Sequence, residues 1–153
     1  MNMILGMALK ILSEVEVNYM VSNQHEFNGV ASLKRIFGTE KQFFDARFAY
    51  MSNAGIESAK NGSLTWYDAR ENHPYRTEYR LYYDSAIPLQ RAKAGDTLLL
   101  TVDNYNFVNI FIVARGTQLV NYLTSQIRSR IDTDYYVSTD SRDTQVIENI
   151  LNL

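Results

Sequence analysis

Three ionic residues spaced two apart, Arg76, Glu78 and Arg80, carry the most suggestive chemistry in the sequence. On an extended chain their side chains leave one face, while Thr77, Tyr79 and Leu81 leave the other. Arginine offers a planar fork that matches guanine O6 and N7, and glutamate can accept from cytosine N4. A period-2 row advances about 6–7 Å per charged residue, near the height of two stacked base pairs. Such a row could reach two or three consecutive G·C pairs, with Arg70 upstream placed for a phosphate or a base. The same row also reads as a solvated sheet edge whose charges pair with one another, the commoner fate of a charge run.

Two strands must hold that row. Residues 63–68 alternate small or polar side chains with Leu64 and Trp66, and 79–83 are aromatic and aliphatic, so each reads as a strand. Asn72-His73-Pro74 between them is turn-favouring, with proline removing a ladder donor. A second polar loop, 22–29, contains Asn23, Gln24, His25 and Glu26 and closes on Asn28-Gly29, a strong turn signal. Its side chains can address base edges or phosphates, and equally can decorate a plain surface turn.

The rest of the chain reads as the scaffold for these loops. Residues 3–13 are expected as an amphipathic helix or a helix-to-strand lead-in. The alternation of Val15, Val17, Tyr19 and Val21 predicts a strand. A short helix over 30–37 displays Lys34 and Arg35 and stops at Gly38. A strand is expected over 43–50, and a Gly/Asn/Ser-rich connection over 52–62. A loop carrying Lys93 spans 88–95, buried strands follow at 97–102 and 107–114, and a turn lies at 103–106. A helix over 116–130 puts Leu119, Leu123, Ile127 and Ile131 on one face and Arg128 and Arg130 on the other. A linker or short strand leads to a last helix over 141–153, with Val146, Ile147, Ile150 and Leu151 inward and Asp143 in its first turn. Several short strands with helices toward the ends predict a mainly β fold with flanking helices, a closed or partly closed barrel.

Composition bounds the function without choosing it. A chain of 153 residues fits a single domain over 1–153 with a real core. The absence of cysteine excludes disulfides and thiolate zinc sites and fits a reducing compartment. A formal net charge of −2 argues against a non-specific polyanion binder, but not against a specific one that places arginine locally. The apolar stretch 1–12 is too short to span a bilayer and has no basic region ahead of it, so neither anchor nor secretory signal is expected. Neither GxxxxGK[ST] nor GxGxxG nor a GxSxG elbow occurs. His25 and His73 sit on separate loops, with no His-x-x-x-His pair for a metal. No acidic residue stands two before a lysine, so the strand motif of Mg²⁺-dependent nucleases is missing.

The run Tyr67-Asp-Ala-Arg70, then Arg76-Thr-Glu78-Tyr-Arg80, resembles the arm of the N-terminal effector domain of EcoRII-like restriction endonucleases, Tyr-x-x-Arg, five residues, Arg-x-Glu-x-Arg. Pro88-Leu89-Gln90 and Val108-Asn109-Ile110 are similar to further family segments, as is His25 followed by Leu33, Ile36 and Phe37. The likeness runs from about Ala8 to Leu123 and extends to the amino-terminal domain of a relative that shares the family's target. The chain departs from the family at His73, Pro74 and Tyr75, where more basic or flexible residues stand.

The resemblance implies a DNA-binding pseudobarrel with two arms that grip the major groove and recognise CCWGG, W being A or T. The arms would be 22–35 and 67–80. Arg76, Glu78 and Arg80 would read G·C pairs, with Asn23, Gln24, His25 and Glu26 reading or positioning the other half-site. Arg70, Lys34, Arg35, Tyr75, His73 and Lys93 would meet the backbone. The expected partners are double-stranded DNA and a nuclease domain of the same parent chain, in the bacterial cytoplasm and away from membranes. No cofactor is expected for the domain itself, and Mg²⁺ only in that separate nuclease domain. A β-barrel protein-interaction module and a small enzyme with an unrecognised site remain alternatives.

Overall fold

A computed structural model describes residues 3–21, 25–27, 30–84, 87–127, 131 and 134–151. Among them, the strands are β1 (Ile4–Ile11), β2 (Glu26–Phe27), β3 (Gln42–Ser52), β4 (Gly55–Asp68), β5 (Tyr79–Tyr83), β6 (Thr97–Asp103), β7 (Val108–Val113) and β8 (Tyr136–Ser138). The helices are α1 (Glu14–Val21), α2 (Lys34–Phe37), α3 (Gln118–Gln126) and α4 (Ser141–Leu151). The strands form one sheet in the order β2-β5-β4-β3-β7-β6-β1-β8. Neighbours are antiparallel except β3 and β7, which run parallel. The sheet is strongly curled and its edges β2 and β8 do not pair, so it is an open half-barrel. The expected mainly β pseudobarrel with flanking helices is therefore the fold adopted.

Both faces of the sheet's middle are covered, which is why all seven residues of β6 are buried. Leu98, Leu100 and Val102 face a cluster with Phe48, Trp66 and Ile110, plugged by Leu33 and Phe37. Leu99 faces the opposite side with Leu9 and Phe111, under Leu123 of α3 and Ile147 of α4. The plug sits close: a Cβ added to Gly6 of β1 would stand 2.6 Å from Cγ2 of Ile36. Glycine at that point lets α2 dock, and α2 carries Lys34.

Several expected elements differ. Residues 4–11 form a strand, not a helix, because β1 is covered on both faces and loses the period-2 alternation that marks a half-buried strand. Residues 14–21 form a helix, not a strand. Ser13 and Glu16 make a reciprocal capping box, Glu16 N–H donating to Ser13 Oγ and Ser13 N–H to Glu16 Oε1. The alternating valines concealed it, although Val15 is exposed. The polar connection 52–62 is mostly strand, since β4 starts at Gly55 and pairs along β3. Backbone pairing overrides its weak composition there. A 3-10 turn, Ile87–Arg91, buries Leu89 where a loop was expected. Helix α3 spans 118–126, shorter than expected, starting at the Thr117 cap; Arg128 and Arg130 lie outside the described residues.

Candidate nucleic-acid interface

The arm leaves the sheet between the end of β4 and the start of β5. Its neck is closed by Asp68, whose Oδ1 accepts from the backbone N–H of Arg70 at 2.9 Å and of Glu78 at 2.8 Å. Ala69 N–H donates to Glu78 O at 2.8 Å, completing the closure. These backbone donors, Glu78 first, hold the Asp68 carboxyl below the usual carboxylate range. At the tip, His73 N–H donates to Arg70 O at 2.9 Å. His73 Nδ1 accepts from the N–H groups of Tyr75 and Arg76, at 3.1 and 3.0 Å. His73 is thus an internal brace of the loop, and Tyr75, 91% exposed, projects from it.

Strand β5 begins at Tyr79, so the extended row predicted from Arg76 to Arg80 is partial. Glu78 and Arg80 do meet, Nη2 lying 3.3 Å from Oε2. Arg76 lies in the loop, exposed, its backbone N–H held by His73. Glu78 Oε2 also takes Arg70 Nε at 3.3 Å. Arg80 reaches in the other direction as well, with Nη1 3.5 Å from Oε2 of Glu26. Glu26 Oε1 accepts from the Tyr67 hydroxyl at 3.1 Å. Strand β2 makes this possible by pairing Glu26 with Tyr82 and Phe27 with Leu81. Residues predicted on two separate arms, Glu26 on one and Arg70, Glu78 and Arg80 on the other, therefore form one chain of alternating charge.

The electrostatics follow from that arrangement. Burial disfavours the charge on Arg80, but Glu78 and Glu26 outweigh it and raise its pKa. Partial burial, then Glu26, raises the Tyr67 phenol. Nε of Arg80 is buried and has no acceptor among the described residues.

Beneath the arm the support is aromatic. Trp66 stacks on Tyr79 with centroids 5.0 Å apart and an 18° interplanar angle. Its indole N–H donates to Gly38 O at 3.0 Å, and the Tyr79 hydroxyl donates to Thr39 O at 3.1 Å. Lys34 Nζ lies 5.1 Å from the Tyr79 ring centroid, so Lys34 joins the arm's base.

Other predicted residues stand elsewhere. His25, at φ 55°, stacks on Tyr83 at 5.4 Å beside β5. Asn23 and Gln24 lie outside the described residues. Arg35 turns from the arm, its Nη1 donating to Val137 O of β8 at 3.0 Å. Successive positions on α2 point about 100° apart, which separates it from Lys34. Lys93 precedes β6 near Leu12, toward the end of the sheet where β3 finishes, whereas the arm leaves near where β3 begins. Sequence reasoning gave no role to Tyr67 or Asp68, whose hydroxyl and carboxylate brace this region. Asp68, before a turn, is a recognisable Asx position; the partnership of Tyr67 with Glu26 has no local signal.

No protein-family model and no curated protein matches the chain. Among solved structures it is similar to the N-terminal domain of Helicobacter pylori LlaJI.R1, at 14% identity and a TM-score of 0.55. The match covers 87% of this chain and 97% of that one, a likeness of fold.

Proposed function

We propose that this chain binds double-stranded DNA sequence-specifically, as the recognition domain of a restriction endonuclease of the EcoRII kind, with CCWGG as its site. The observation that carries the proposal is the run of ion pairs from Glu26 to Arg80, from Arg80 to Glu78 and from Glu78 to Arg70. It joins the two polar loops into one recognition surface under a braced, projecting arm. The N-terminal domain of LlaJI.R1, a restriction-enzyme domain, has the same fold and supports the class of function. The similarity of the arm to the EcoRII family and to UbaLAI supports the target.

In this reading Arg76 and Arg80 donate to guanine edges and Glu78 accepts from cytosine N4. Asn23, Gln24 and His25 address the other half-site, and Glu26 acts through Arg80. Arg70, Lys34, His73 and Tyr75 hold or meet the backbone; Arg35 and Lys93 lie apart from this surface. The domain needs no cofactor of its own; Mg²⁺-dependent cleavage belongs to a nuclease domain of the parent chain. A gel shift comparing a CCWGG duplex with a shuffled duplex of equal length tests the proposal. Retention of the first at concentrations that leave the second free is expected, and equal retention would refute it.

A further inference from the structure

We infer that Glu26 is an electrostatic guard on Arg80, occupying its guanidinium in the free protein so that non-specific phosphates gain little from it. This rests on the DNA-binding reading above. Both oxygens of Glu26 are engaged within the protein, one by the Tyr67 hydroxyl and one by Arg80 Nη1. Its side chain is only 23% exposed, which makes it a poor reader of base edges. Its place is fixed by the pairing of β2 with β5, with Phe27 buried behind it.

Arg80 is therefore held from both sides: Glu26 takes Nη1 and Glu78 takes Nη2. Those two nitrogens form the fork that would face guanine. Arg70 completes the set on Glu78, so two carboxylates and two guanidiniums alternate with no net formal charge. A phosphate approaching this patch meets a compensated surface. To capture Arg80 it must leave the half-buried Glu26 carboxylate without its cation, an unfavourable exchange. A guanine supplies two acceptors to one fork, while Glu78 turns to the paired cytosine. Glu26 loses its cation to either partner, but the base pair returns an N4–H donor to Glu78, which a phosphate does not. Glu26 is thus a specificity-determining, positioning residue.

The test is a double-mutant cycle with Glu26→Gln and Arg80→Gln, the glutamine at 26 keeping an acceptor for Tyr67. Four proteins, with fold checked by circular dichroism, are titrated onto shuffled and CCWGG duplexes across a salt series and eluted from heparin. Glu26→Gln should bind shuffled duplex about two- to fivefold more tightly. Its salt slope should steepen by up to about one, and it should leave heparin at higher salt. In the Arg80→Gln background the same change should do nothing. An unchanged slope and heparin elution, or an effect that persists without Arg80, would overturn the guard. The DNA-binding reading fails separately, when the wild type treats the two duplexes alike, and the heparin arm still decides the guard.

Discussion

Asp68 and Glu78 are ten residues apart in sequence, yet the carboxylate of the first accepts a 2.8 Å hydrogen bond from the backbone N–H of the second. Together with the Arg70 N–H on the same oxygen, this closes the arm into a defined loop. The interaction needs the ionised carboxylate. Because the folded pKa of Asp68 is depressed, chiefly by Glu78 and Arg70, the closure is complete above the ordinary value of 3.8. It is lost as pH falls through the depressed value. The amide resonances of Arg70 and Glu78 should shift together in that acid window, and Asp68→Ala should show the open positions already at neutral pH. Resonances in the variant that match the neutral wild type would contradict this.

Trp66 is fully buried between Phe37 and Tyr79, and its indole satisfies Gly38 O. Trp66→Ala should cost about 3–5 kcal/mol by cavity formation. Trp66→Phe should cost about 1–3 kcal/mol, mostly for the carbonyl left without its donor. Urea unfolding followed by circular dichroism measures both, since Trp66 is the sole tryptophan. A loss below about 1 kcal/mol for alanine would mean that the arm does not stand on this stack.

Burial pushes the Tyr83 phenol up to about 12. A raised folded pKa means that its contribution is complete below 10.0 and is lost as pH rises toward 12. Tyr83→Phe cannot ionise and should resist alkaline unfolding better, by roughly 1–3 kcal/mol at the top of that range. Parallel urea midpoints for the two proteins between those pH values would rule out the buried phenol as a cause.

The basic residues around α2 separate by geometry. Lys34 lies over Tyr79 at the arm's base, so Lys34→Ala should weaken binding alike on all duplexes and reduce the salt slope by about one. Arg35 is spent on Val137 O, so Arg35→Ala should lower stability by about 1 kcal/mol and leave the slope unchanged. Lys93→Ala should leave it unchanged as well. A slope that falls for Arg35 or Lys93 but not for Lys34 would misplace the interface.

What the sequence made legible was what local pattern controls. The buried strands β6 and β7, the last helix and the strands flanking the arm are apolar or periodic enough to stand out. β1 was misread because burial on both faces erases alternation, and α1 because valines at alternate positions outweighed a capping box. β4 was only half seen: its polar first half pairs back on β3 across the tight turn at 53–54, and its Gly, Asn and Ser content masked that hairpin. At the site, the types and spacing of Arg76, Glu78 and Arg80 pointed to one surface. The neck closure by Asp68, the Glu26–Arg80 contact and the diversion of Arg35 depend on tertiary placement. Spacing alone could not supply them.

The central claim is that the arm over 67–80 reads base pairs. Equilibrium competition between a CCWGG duplex and single-pair variants of it, measured for the wild type and for Arg76→Ala, tests it most directly. The wild type should prefer CCWGG to shuffled duplex by about a thousandfold or more. Arg76→Ala should lose about 1–3 kcal/mol on CCWGG, bind shuffled duplex nearly as before, and cease to discriminate at one G·C pair. Equal losses at every sequence, or discrimination retained at all five positions of the CCWGG site, would contradict it.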